Sequence, residues 1–417
     1  MNSSQRDGAG LPPQSSRLRQ TFSSLENRDY RFYWLGLLAS STGQQMQLVV
    51  RGWLVYELTD SALALGLVSA SAGVPILLFS LYGGVIVDRV DKRKLLIVTQ
   101  CITGSATLAI AVLISTGAIS LWHLMLAAVA NGTVLALDLP CRQAIIPQLV
   151  EQPQIMNAVA LGSGAMNLTR VVAPALGGVL VGVMGIDGVY YLIVAFYAAS
   201  TLVLFRVLPQ TVPPRASPTT VRNDLIDGLR FIRRSPSLLA LLSMAVVPIA
   251  FGMPYQLLMP VFAVDVLDLD ASGLGYLMAA TGVGALVGSF LLAFLGDFRH
   301  KGKLLLIASA LFGAFLVFFA NSNYFLLSLF LLAVVGMTNS IYMTVNNTLL
   351  QINSSDAMRG RVMSLYMMTI GLLPTAVLPI SAIAEAWGAP AAVMAGGAIL
   401  LVFTLAVAFR RPALRRL

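Results

Sequence analysis

Two arginines, Arg51 and Arg170, fall inside apolar runs long enough to cross a bilayer. A cation at mid-bilayer costs roughly 2.5–3.5 kcal/mol on insertion scales, so each needs a partner or a task. The acids that border such runs, Asp88, Asp138, Asp297 and Glu385, sit at their ends. An interior with buried arginine and no central carboxylate suits neutral or anionic solutes better than lipophilic cations; pairing of the arginines with carbonyls or with Glu385 is the plain structural alternative. Asp138 and Arg142 stand four apart across Pro140, a spacing that allows an ion pair on one helix face. Between Asp88 and Lys94, six of seven residues are charged. A carboxylate at Asp88 beside Arg89, with Gly84 one turn earlier to admit another helix, can exchange partners between two states, and Arg93 lies within reach.

Polar side chains also recur at helical spacing within the apolar runs. Ser40, Gln44, Gln47 and Arg51 follow one another at steps of four, three and four and so share a face. Asn339, Tyr342 and Asn346 make a second stripe; Tyr255 and Gln256 follow Gly252 and Pro254; Asn131 and Asp138 lie in a further run. These stripes either line a polar cavity or serve as interhelical hydrogen-bond glue. Enzyme chemistry has no foothold. His123 and His300 are isolated, Cys101 and Cys141 read as free thiols, and no metal-spaced cluster, Ser/His/Asp set or nucleotide-binding loop is present, so no metal, cofactor or direct use of ATP is expected.

The elements that position these residues follow from hydropathy. With 57% hydrophobic and 11% charged residues, the chain reads as a polytopic membrane protein. Twelve spans are expected near 31–56, 64–87, 95–116, 121–139, 156–182, 188–208, 238–263, 273–296, 303–320, 324–347, 363–386 and 390–409. They must be helices, because lipid offers no partner to backbone polar groups. Lys and Arg crowd alternate connections, which places both termini in the cytoplasm. Topology therefore accounts for the net charge of +9 without nucleic-acid binding. The polar first 28 residues lack the apolar core of a signal peptide.

Sliding the chain against itself by 209 residues brings Gln47 onto Gln256, Gly66 onto Gly275, Gly73 onto Gly282, Asp88 onto Asp297, Lys92 onto Lys301 and Gly104 onto Gly313. That repeat divides the chain into an N-terminal tail (1–28), a six-helix half (29–208), a linker with a short amphipathic helix (209–236), a second six-helix half (237–409) and a basic tail (410–417). The fold class is an all-α membrane bundle of two pseudo-symmetric halves.

The stretch Gly84-x-x-x-Asp88-Arg89 followed by Lys92, Arg93 and Lys94 resembles the loop motif of the major facilitator superfamily, with Asp91 where that family usually has Gly. The segments Trp53–Val68, Asp138–Val150, Asn167–Gly178, Pro254–Leu267 and Met358–Tyr366 resemble its bacterial exporter branch, which includes the enterobactin exporter and the macrolide efflux proteins. Pro174, Gly177 and Gly178, after Arg170, look like a degenerate proline-glycine motif of proton-coupled exporters, with Ala173 in place of Gly. The resemblance implies a secondary exporter in the bacterial inner membrane, working by alternating access and proton antiport on a small amphipathic molecule. Its first, fourth, seventh and tenth helices would line the cavity, and Asp88, Asp138 and Glu385 rank in that order as proton carriers. Broad drug efflux is the alternative, and a non-transporting membrane sensor a more distant one. Nothing demands an oligomer, and a monomer in the lipid bilayer is expected. If Asp88 is a latch, Asp88→Asn impairs transport and leaves membrane insertion intact; unchanged export would remove the assignment.

Overall fold

The computed structural model describes residues 22–208, 229–233, 235–296, 298–371, 373–411 and 414–415. Among them there is helix and no strand. In chain order the main helices are α1 (Arg28–Thr59), α2 (Ala62–Arg89), α3 (Lys92–Ser115), α4 (Leu121–Leu149), α5 (Ile155–Leu204), α6 (Pro236–Val247), α7 (Ala271–Leu295), α8 (Lys301–Ala320), α9 (Phe325–Ile352), α10 (Asp356–Gly371), α11 (Leu373–Trp387) and α12 (Ala389–Arg410). Nine helical stretches among the described residues are long and apolar enough to cross a membrane. Neither α1, which carries the Ser40–Arg51 polar face, nor the α10–α11 pair is among them.

Local chemistry sets the helix ends. The Asn27 side chain accepts from the backbone N–H groups of Asp29 and Tyr30 to start α1, and Asp270 accepts from Gly273 N–H to start α7. Asp91, the departure from the family loop, is the N-cap of α3: its carboxylate accepts from Lys94 N–H at 3.0 Å. At 1.5 Å per residue the 50 residues of α5 would reach about 75 Å, over twice the apolar thickness of a bilayer. The helix therefore breaks, at Gly185, whose φ of 73° favours glycine, and its two parts cross separately.

The seventh span departs from a regular helix. After α6 the chain runs through a π turn (Pro248–Gly252), a 3-10 turn (Met253–Gln256), a short helix (Met259–Val261) and a second π turn (Phe262–Val266). Pro248, Pro254 and Pro260 each remove a backbone donor, so the α hydrogen-bond ladder cannot persist through them.

Packing follows the 209-residue repeat. Helix α2 packs on α4 and α7 on α9, while α5 meets α7 and α2 meets α11. A Cβ at Gly132 would stand 2.1 Å from the Ala72 carbonyl oxygen; one at Gly336 would stand 1.9 Å from that of Thr281, the residue 209 beyond Ala72. The repeat-related pair Gly66 and Gly275 likewise marks the two long-range crossings, Gly66 against Ser381 of α11 and Gly275 against Pro174 and Gly178 of α5. With no hydrophobic drive between helices in lipid, such backbone approach is what packing energy rests on. Gly336→Ala should force α7 and α9 apart and lower stability by about 1–3 kcal/mol. Thermal unfolding of the purified protein checks this, and an unchanged midpoint would contradict the close approach.

Candidate functional site

A small cleft, partly open to its surroundings, lies among α1, α3, α4 and α5. Ser40 and Gln44 border it from α1, Gln100 and Thr103 from α3, Asn131, Asp138 and Arg142 from α4, and Met166 and Tyr197 from α5. Its charged centre is the ion pair of Arg142 Nε with Asp138 Oδ2, both side chains 12% exposed. Asp138 Oδ1 also accepts from Thr99 Oγ1 at 3.2 Å and from Gln100 Nε2 at 3.4 Å. Arg142 in turn donates to Ser40 Oγ at 3.2 Å. The pair is thus satisfied on both sides, as buried charge requires, while Gln100 Oε1 remains a buried acceptor without a partner among the described residues. Thr99, Thr103 and Gln100 were not anticipated from the sequence; the Thr99, Thr103, Thr107 spacing of four was the available signal.

The rest of the α1 stripe turns away from this cleft. Gln47 accepts from Tyr197 Oη at 3.2 Å and donates to Thr107 Oγ1 at 3.3 Å. Arg51, one turn on, forms no hydrogen bond or ion pair among the described residues, and neither does Arg170, whose side chain is exposed. Tyr255, Gln256, Asn339, Tyr342 and Asn346 do not border the cleft. Tyr255 is buried edge-on to Phe312, and Tyr342 donates to the Met244 carbonyl at 2.7 Å. Asn346 is fully buried with neither amide atom bonded, and Asn339 Oδ1 is likewise unpartnered, among the described residues.

Of the loop motif, the side chains of Gly84 and Asp88 and all of Asp297 lie outside the described residues. Arg89 is exposed. Arg93 donates from Nε to the Leu204 carbonyl at 3.1 Å and from Nη2 to that of Phe205, satisfying the last carbonyls of α5. Pro174 is buried within α5; Gly177 faces Met46 of α1, and Gly178 faces Ala271 and Gly275 of α7.

The opposite end of the bundle, where α1 turns into α2 at Asp60, holds polar contacts between residues 29–208 and 237–409. Tyr56 Oη lies 2.8 and 2.7 Å from the two carboxylate oxygens of Asp265. Glu385 Oε2 accepts from Ser61 Oγ and from Leu63 N–H, each at 3.0 Å, and so helps Ser61 cap α2. Ser272 Oγ reaches the Gly178 carbonyl at 3.5 Å. These hydrogen bonds between the two segments all fall at this end. Tyr56 and Asp265 were missed in the sequence although they are 209 apart, the repeat distance itself.

The family follows from comparison with known proteins. A family model described as transmembrane secretion effector matches residues 19–416. The chain belongs to this family of the major facilitator superfamily. It is a multi-pass membrane transporter and not an enzyme. The staphyloferrin A transporter of Staphylococcus aureus is 28% identical over 343 residues, 81% of this chain and 84% of the relative. The enterobactin exporter of Citrobacter koseri is 28% identical over 342 residues, 80% of this chain and 77% of the relative. Among solved structures, a bacterial homologue of the human lysosomal transporter Spinster, in an inward-facing and occupied conformation, superposes with TM-score 0.71 at 16% identity, covering 97% of this chain and 98% of the other. The nucleoside transporter NupG superposes with TM-score 0.71 at 13% identity, covering 93% and 99%. These two likenesses speak for the fold alone.

Tyr56→Phe removes the phenol donor to Asp265 and should loosen this end of the bundle. A cysteine placed at Gly52, beside Pro260, is expected to react faster with a membrane-impermeant thiol reagent in the Tyr56→Phe background than in the native one; equal rates would show that the contact holds nothing.

Proposed function

We propose that this transporter is a proton-coupled exporter of a small amphipathic, neutral or anionic compound of the siderophore type. It works from the bacterial inner membrane with both termini in the cytoplasm, as a monomer of two six-helix halves, 29–208 and 237–409, that rock about the acidic end. The observation that carries the reading is the Asp138–Arg142 ion pair inside a polar cleft, on the far side of the bundle from the Tyr56–Asp265 contact. Names of relatives that move staphyloferrin A and enterobactin support the substrate class.

In this mechanism the cleft opens to the cytoplasm while Tyr56, Asp265 and Glu385 hold the outer end shut. The substrate is met by Arg142, by the free Gln100 Oε1 and by Ser40, Gln44 and Asn131. Rearrangement then closes the inner end, which has to compete with the outer contacts; substrate drives it only through stronger interactions in the second state. Asp138 is best suited to the proton among the acids that border the spans. It is buried, it faces the cleft and it is paired with Arg142, whereas Glu385 is exposed and occupied as a helix cap.

One proton moved down 100 mV supplies about 2.3 kcal/mol, a concentration ratio of roughly fifty. Asp138→Asn should therefore abolish uphill export in everted vesicles while membrane level and downhill exchange persist. Uphill export at the native ratio would remove Asp138 from the coupling. Equal export of several unrelated cationic drugs would favour broad efflux instead.

A further inference from the structure

Arg51 and Tyr190 leave a surplus of hydrogen-bond donors inside the bundle. In the neighbouring layer every group is matched: Tyr197 donates to Gln47, Gln47 donates to Thr107, and Thr107 donates to the Thr103 carbonyl at 2.7 Å. One turn toward the acidic end the matching stops. Tyr190 is 1% exposed, and its hydroxyl has no partner among the described residues. Arg51 makes no hydrogen bond and no ion pair among the described residues either; it stands one turn beyond Gln47 on α1, and Tyr190 stands two turns before Tyr197 on the antiparallel second part of α5, so the Gln47–Tyr197 bond sets both on the same side of that layer. The Arg51 side chain is half-buried. A guanidinium carries five donors and no acceptor, and a phenol brings one more. A cation left so inside a membrane protein calls for a negative partner.

We propose that Arg51 and Tyr190 form a binding subsite for an anionic group, distinct from the Asp138–Arg142 cleft, and that the group is a carboxylate or phenolate of the transported compound. The origin of the ligand rests on the export reading; the site does not. A small inorganic anion has the same charge, so the test separates the two sources. Because the Tyr190 hydroxyl has no partner among the described residues, Tyr190→Phe there removes only an unmatched oxygen.

The protein, purified into phosphatidylcholine nanodiscs, is titrated with benzoate, citrate, chloride and tetraphenylphosphonium while its thermal unfolding midpoint is followed. The proposal expects benzoate or citrate to raise the midpoint and tetraphenylphosphonium to leave it alone. Arg51→Gln weakens anion binding about tenfold or more, Arg51→Lys less, and Tyr190→Phe several-fold without lowering the midpoint of the unliganded protein. Equal binding by native protein, Arg51→Gln and Tyr190→Phe would overturn the subsite. Response to chloride alone would keep the anion site and overturn its assignment to substrate. Arg51-dependent binding in a protein that exports nothing from vesicles would sink the proposed function and leave the subsite standing.

Discussion

Tyr56 and Asp265 occupy the same place in two copies of one sequence unit, and they touch. This hydrogen bond joins residues that stand at matched positions of the 209-residue sequence repeat. Around it lie the α5–α7 and α2–α11 crossings, where Gly275 approaches the backbone at Pro174 and Gly178 and Gly66 approaches the Ser381 side chain. Backbones that approach this closely do so where side chains are absent, and a rigid joint results. The remaining architecture depends on it: helices that are joined near one end can separate at the other without breaking their own hydrogen-bond ladders.

Polar chemistry is distributed accordingly. Near the joint, the exposed carboxylates of Asp265 and Glu385 meet the buried Tyr56 phenol and a helix N-terminus. Away from it, Asp138 and Arg142 are withdrawn from water and hold each other with help from Thr99, Gln100 and Ser40. Breaking a buried pair by altering one member leaves an uncompensated charge, a far larger perturbation than the loss of a surface contact. The arrangement therefore places the more sensitive pair in the cleft, away from the Tyr56–Asp265 contact.

The membrane class and the run of helices were legible in the sequence, because lipid permits few backbone solutions. The i, i+4 spacing of Asp138 and Arg142 foretold their pairing. The α1 stripe was legible as a face but not as an environment. Ser40 and Gln44 reach the cleft, while Gln47 turns to Thr107 and Tyr197, residues of helices whose placement no single-helix periodicity contains. Irregularity of the seventh span was written in Pro248, Pro254 and Pro260, yet hydropathy averages over them. Asp265 passed unnoticed as one acid near a span end. Its meaning appears only when the repeat is used to ask which counterparts meet.

The most direct test of the joint is a pair of distances measured together by pulsed dipolar spectroscopy. One spin-label pair spans the acidic end, from Glu57 to Asp268, and one spans the basic end, from Ala144 to Gln351. The account predicts opposite changes: with substrate and an imposed pH gradient, the acidic-end distance lengthens in the same fraction of molecules in which the basic-end distance shortens. Distances that stay fixed at both ends, or lengthen together, would contradict motion about a common joint.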